Sequence, residues 1–236
     1  MRPIAIFRHL DIEGPGYLTE FLDAHQLPWT LIAIDAGMSP PASPEAYSGL
    51  VFMGGPMSVN DDLPWLPASL VLIRQAVAED IPVLGHCLGG QLMAKALGGQ
   101  VTRNPIKEIG WHDVRTAEHP VAEHWFGDIT AFSAFHWHGE TFSLPEGATR
   151  LLSSEHCANQ AFALGKHLAL QCHIEMTLPM IQAWADAGRA EIAGSDSPAV
   201  QSAATMVAQS SFRLPVMTRV AERLYNRWIG GLAGPR

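Results

Sequence analysis

Charge is scarce in this chain. Only 16% of its 236 residues are Asp, Glu, Lys or Arg, while 47% are hydrophobic, a composition that excludes intrinsic disorder. The basic excess needed to neutralise phosphates is missing, because 15 basic side chains stand against 23 acidic ones and leave a net charge of −8. That balance argues against a nucleic-acid partner and against a polybasic membrane anchor. The chain has no apolar run of membrane-spanning length. Its apolar start is broken by Arg8 and His9 directly after Phe7, too early for the core of a signal peptide. Cysteine is rare as well: Cys87, Cys157 and Cys172 are widely spaced and form no CxxC, unlike a disulfide scaffold. These gaps lead us to expect a cytoplasmic globular protein in which at least one thiol lies outside any intramolecular bridge. A P-loop, a Ser-Gly-Gly-x-Asp-Ser segment and a G-x-G-x-x-G fingerprint are also lacking, so no nucleotide-binding machinery is visible.

What is present alternates. Apolar runs at Ile4–Phe7, Trp29–Ile34, Gly49–Met53 and Pro82–Gly85 read as strands. Between them lie helical stretches over Tyr17–His25 and Leu66–Glu79. The second has apolar residues at Leu66, Leu70, Ile73 and Val77, the spacing of one helix face. A further helix over Gln91–Leu97 closes on Gly98-Gly99. This alternation predicts a doubly wound three-layer α/β/α sandwich with a mostly parallel central sheet. From about Val101 to Glu175 the candidate strands are Trp111–Thr116, Ala131–Trp137, Asn159–Leu164 and Leu168–Cys172, which suggest a small antiparallel accessory sheet. Beyond Leu178 two or three helices follow, including Met217–Trp228, with Gly194–Pro198 as a connection between helices. We expect residues 1–185 to form the main domain. Residues 186–236 would form a helical extension, packed on or beside the main domain or mediating a homodimer.

The segment Leu84-Gly85-His86-Cys87-Leu88-Gly89-Gly90-Gln91 places a cysteine between glycines at −2 and +2, after a strand and before a helix. That is the layout of a nucleophile elbow, in which a tight turn forces the nucleophile into a strained backbone and glycines make room for it. The sulfur of Cys87 would lie at a helix N-terminus, with the N–H of Leu88 free for an oxyanion. A thiol nucleophile needs a base, and the base needs an orienting partner. In Gln171-Cys172-His173-Ile174-Glu175, His173 and Glu175 alternate with Ile174 and would point the same way on a strand. Gly54-Gly55-Pro56 ends another strand and would present amides to the same oxyanion. The bland alternatives are a structural cysteine in a glycine-rich turn, a solvated His–Glu pair and an ordinary turn. Histidines at 112, 119, 124, 136 and 138 accompany no metal-ligand signature, so they read as exposed or core side chains and no metal site is expected.

Gly-Gly-Pro, then Gly-x-Cys-Leu-Gly-x-Gln, then Gln-x-His-x-Glu, in this order, resembles the class I, triad-type glutamine amidotransferases over about Ile4 to Glu175. Lys107-Glu108-Ile109-Gly110-Trp111 and Phe135-His136-Trp137-His138-Gly139-Glu140 are similar to segments of the amidotransferase half of GMP synthases. The resemblance implies a flavodoxin-like fold and a Cys87–His173–Glu175 triad. It also implies an oxyanion hole at Gly55 and Leu88, and substrate contacts from Gln91, His138, Gly139 and Glu140. The implied reaction releases ammonia and glutamate from glutamine with no cofactor, for a separate synthase partner. Two other readings stay open: a stand-alone γ-glutamyl hydrolase or peptidase using the same triad, and an idle binding or regulatory domain on the same fold. Ile174 stands where the family more often has proline, and His86 replaces a more common apolar or small residue. His86 reads as a packed side chain rather than a spare acid–base group.

Overall fold

The computed structural model describes residues 1–232; the last four residues of the expected helical extension lie outside the described part. The first half alternates as its sequence predicts. In order come β1 (Ile4–Arg8), α1 (Tyr17–Ala24), β2 (Trp29–Ala33), β3 (Gly49–Phe52), α2 (Leu66–Ala78), β4 (Val83–His86) and α3 (Leu88–Ala96). There follow β5 (Val101–Thr116), α4 (Pro120–Phe126), β6 (Ala131–Phe142), β7 (Thr149–Ser154), β8 (Ala161–Leu164) and β9 (His167–Leu170). The helices α5 (Leu178–Ala187), α6 (Arg189–Ala193) and α7 (Ala203–Ile229) complete the described chain.

The strands join in one nine-stranded sheet of order β2-β1-β3-β4-β9-β8-β7-β5-β6. The block β2-β1-β3-β4-β9 is parallel, and from β9 outward every pairing is antiparallel. The antiparallel strands are therefore a continuation of the parallel block through the β8–β9 ladder. Alternate residues of β1 show why helices cover both faces: Ile4 and Ile6 enter one core cluster, and Ala5 and Phe7 enter the other. The first cluster holds α1, α5 and α7, with Tyr225 and Trp228 wholly buried; the second holds α2 and α3. The buried stripe of α2 is Leu66, Ser69, Leu72, Ile73 and Ala76, rotated from the face expected, so that Leu70 and Val77 flank it half-buried.

One buried histidine makes this fold sensitive to acid. His167 Nδ1 accepts the Val83 N–H at 3.2 Å across the β4–β9 seam, and burial pushes its pKa down to about 4, against the pull of Asp80. The unfolded chain takes up this proton near pH 6.5, so stability is full above that value and is lost as pH falls towards 4. The loss is on the order of 3 kcal/mol at most. We expect the fall in melting temperature between pH 6.5 and pH 4 to be smaller in His167→Gln than in the parent, as thermal denaturation across that range will measure.

Candidate active site

β4 runs directly into Cys87, which caps α3 with φ 49° and ψ −105°. A side chain in this left-handed region costs about 1–3 kcal/mol and persists only where its surroundings impose it. Here the Cys87 N–H donates to Leu170 O at 2.8 Å, and its carbonyl accepts the Gln91 N–H at 2.9 Å. The neighbouring glycines are steric necessities. A Cβ on Gly85 would lie 2.5 Å from the Gly89 carbonyl, one on Gly89 would lie 1.9 Å from Phe52 O, and one on Gly90 would lie 2.4 Å from Leu170 O. Helix and sheet thus touch backbone to backbone, and Cys87 forms part of the wall of a cavity of about 410 Å³.

His173 and Glu175 meet beside it, though not on a strand. β9 ends at Leu170, the last residue it pairs with β4 and β8, although the Gln171 N–H still donates to Gln160 O at 2.8 Å. Beyond it an isolated bridge to Phe135 holds His173, whose N–H donates to Phe135 O at 2.8 Å. His173 Nδ1 nevertheless lies 2.6 Å from Glu175 Oε1, both residues being buried. Trp184 sets its ring edge-on to the imidazole at 4.9 Å between centroids. The other ring nitrogen, Nε2, makes no hydrogen bond of ordinary geometry. Burial disfavours a charged imidazole, but Glu175 and then Cys87 outweigh it and raise the His173 pKa well above its usual value. Burial also works against the Glu175 carboxylate, yet His86 and His173 hold its pKa down at about 2.

Gln91 and Gln171 extend the group. Gln91 Nε2 donates to Gln171 Oε1 at 3.1 Å, and Gln171 Nε2 donates to Cys87 Sγ at 3.5 Å. Gly55 lines the cavity and packs on Leu88, whose side chain is fully buried. His9 braces the Gly-Gly-Pro turn, a contact with no signal in the sequence: its Nδ1 lies 3.1 Å from Met53 O and 3.3 Å from Gly54 O. His138, Gly139 and Glu140 also line the cavity. The His138 imidazole is tied into the protein, with Nδ1 3.0 Å from Glu140 O and Nε2 3.1 Å from Glu108 Oε2. Glu140 Oε1 accepts from Ser58 Oγ at 3.0 Å.

Behind this part of β6, Glu108 joins two of the histidines expected to be exposed or core side chains. Ligand atoms of Glu108, His136 and His138 fall within 4.8 Å of one another, and all three residues are buried. Glu108 also accepts from Ser154 Oγ and Gln160 Nε2, each at 2.7 Å. Burial raises its pKa, but the His138 hydrogen bond, the charges of His136 and His138, and Ser154 bring it down to about 2. These hydrogen bonds satisfy the carboxylate and fasten β5 to β6, to the end of β7 and to the start of β8.

His86 is fully buried, as its reading as a packed side chain implies, and it has polar company. Its Nε2 lies 3.2 Å from Tyr225 Oη, on α7, and 3.7 Å from Glu175 Oε2. Tyr225→Phe removes the hydroxyl and leaves that ring nitrogen without its hydrogen bond. We expect a loss of about 1–2 kcal/mol in urea unfolding, with the fold retained.

The comparisons with known proteins agree on the kind of molecule this is. The chain belongs to the class I glutamine amidotransferase family, whose family model matches residues 24–180. Among particular relatives, a glutamine amidotransferase from Methylobacillus flagellatus superposes with a TM-score of 0.97 at 44% identity, covering 100% of this chain and 97% of that one. A glutamine amidotransferase from Thermotoga maritima reaches a TM-score of 0.87 at 28% identity, over 97% and 99% of the two chains. The amidotransferase-like protein YfeJ of Salmonella typhimurium is 30% identical over 78% of this chain and 80% of its own length. The GMP synthase of Paraburkholderia phytofirmans is 34% identical over 56% of this chain, a match that spans only 26% of the synthase. Among the described residues no helix is long and apolar enough to cross a membrane.

Proposed function

We propose that the chain is a cysteine amidohydrolase that splits glutamine into glutamate and ammonia through a γ-glutamyl thioester, supplying the ammonia to a separate acceptor enzyme. The observation behind this reading is a Cys87 on the cavity wall together with a buried His173 that pairs with Glu175 Oε1 at 2.6 Å and feels the charge of Cys87. Cys87 gives its thiol proton to His173 Nε2, and Sγ attacks the side-chain carbonyl carbon. The amides of Gly55 and Leu88 receive the oxyanion, in a water-poor site where such donors count most. The C–N bond breaks as His173 Nε2 passes its proton to the departing nitrogen. His173, again neutral, then takes a proton from water, whose oxygen attacks the thioester and returns the thiol. Glu175 holds Nδ1 and offsets the imidazolium charge in both steps. Gln91 and the His138–Glu140 loop would hold the amino-acid end of the substrate. This half-reaction draws on no metal or organic cofactor. The GMP synthases that resemble the chain over a quarter of their length are named as glutamine-hydrolysing, which supports glutamine as substrate and a partner as acceptor. We keep the division near residue 185 within this proposal, with α7 supplying Tyr225 behind Glu175.

A second reading is hydrolysis of γ-glutamyl peptides or amides by the same residues, for which a cavity of about 410 Å³ has room. Steady-state rates on glutamine, γ-glutamyl peptides and glutathione conjugates separate the two. Turnover of glutamine alone, raised by a partner, supports the first reading, and preference for the conjugates supports the second. A folded protein whose Cys87 takes no adduct from a glutamine-like diazoketone is an idle module, and both readings then fall. His173→Ala should cost at least about 10³-fold in kcat, because triad members act as a unit. Glu175→Gln should be milder, and glutamate release under saturating substrate measures both.

A further inference from the structure

The loop between β1 and α1 brings a carboxyl group to the cavity that the reaction above leaves unused. Glu13 lines the cavity with Cys87. A Cβ built on Gly54 would lie 2.5 Å from Glu13 Oε2 and 3.1 Å from His173 Cε1, so the carboxyl and the imidazole flank one point above that glycine. The loop is firmly held: Trp184 Nε1 donates to Ile12 O at 2.7 Å, the Glu13 N–H donates to Leu10 O at 2.9 Å, and the Tyr17 N–H donates to Glu175 O at 2.9 Å. No hydrogen bond or ion pair to the Glu13 carboxyl is found among the described residues. Glu13 is half-buried, and a carboxyl without a protein partner on a cavity wall is open to a donor from the ligand.

We propose that Glu13 is the leaving-group residue of this site, accepting an N–H of the scissile amide and holding the amine as it departs. The inference rests on the amidohydrolase reading and adds to it the side of the cavity through which nitrogen leaves. His173 is the group that protonates that nitrogen, so the departing amine forms beside the imidazole, where Glu13 stands. In the step itself the Cys87 S–C bond has formed, and as the oxyanion collapses the C–N bond breaks and the His173 proton goes to nitrogen. Glu13 makes and breaks no covalent bond; it accepts a hydrogen bond that strengthens as the nitrogen gains positive character. The surroundings suit a group poised between two proton states. Burial raises the Glu13 carboxyl to about 7, with the charge of Glu175 adding to the rise and that of His173 opposing it.

The test compares an amide with an ester, which carries no N–H on its leaving group. Rates on glutamine and on glutamate γ-methyl ester are measured for the parent, Glu13→Ala and Glu13→Gln. We expect Glu13→Ala to lower kcat/KM on glutamine by about 10- to 100-fold and to leave the ester rate nearly unchanged. An equal fall on both substrates would make Glu13 a structural residue and overturn the proposal, as would no fall on either. A parent inactive on both substrates, or a Cys87→Ala variant still active on them, would instead bring down the amidohydrolase reading and this inference with it. Melting curves keep the variants interpretable. A carboxyl with a raised folded pKa costs stability as pH climbs from about 4.5 to 7, so Glu13→Gln should melt higher than the parent at pH 8 and about level with it at pH 4.

Discussion

Cys87→Ala should abolish glutamate release, by at least about 10⁴-fold, while leaving the melting temperature within a few degrees of the parent. The first half of this expectation follows from the absence of a substitute thiol in the cavity wall: Cys157 and Cys172 are buried elsewhere, and burial pushes both of their pKa values up. The second half follows from the backbone. Alanine keeps the Cβ, so the unfavourable φ of 49° at the elbow is retained and the clamps on it are unchanged. Cys87→Gly makes the complementary point. Glycine adopts positive φ freely, so this variant should be as inactive as the alanine variant and yet more stable, by about 1 kcal/mol. Chemical denaturation of the three proteins side by side reads both effects. Residual activity in Cys87→Ala would place the nucleophile elsewhere.

Gly89→Ala should be the most damaging of the small substitutions for folding. Its added methyl would sit 1.9 Å from the Phe52 carbonyl oxygen, a backbone atom that cannot swing aside. α3 must then back away from β3, uncovering apolar surface around Leu88 and Leu92 and pulling the elbow out of register with His173. We expect a loss of at least about 3 kcal/mol, with little recovered as soluble folded protein. Gly14→Ala is the control, since nothing lies within 4 Å of its added Cβ. It should be neutral or stabilising by up to about 1 kcal/mol. Equal stability of the two variants would refute the account of how helix and sheet meet.

The parts legible in the sequence were those fixed by short-range geometry. Glycines at positions 85 and 89 announce the elbow because the turn has no other steric solution, and the strand–helix alternation of the first half follows from local apolar spacing. Contacts made across long stretches of chain left no such trace. His9 reaching Met53, Glu13 reaching the side of His173, and Tyr225 reaching His86 depend on how loops and a distant helix settle on the sheet. Two elements run further than their local patterns indicate. β5 begins at Val101, ahead of the strand expected over Trp111–Thr116, and carries Asn104-Pro105 where its register with β6 shifts between Arg103 and Glu108, an irregularity that absorbs the proline. α7 likewise begins at Ala203, ahead of the helix expected over Met217–Trp228, and runs through Pro215. The carbonyl it leaves unpaired belongs to Ser211, and both residues are exposed, so water can take the missing bond.

α7 also imposes an order of events during synthesis. One face of the parallel block, carrying Ile4, Ile6, Val51 and Leu84, shares its core with Met217, Leu224, Tyr225 and Trp228. That face is only partly covered, by α1, α5 and their neighbours, until the ribosome has passed Trp228, long after the cysteine, the imidazole and the acid have all been made. A nascent chain therefore carries Cys87, His173 and Glu175 before Tyr225 and Trp228 are in place on that face, and the shape of the pocket should be fixed only when α7 docks.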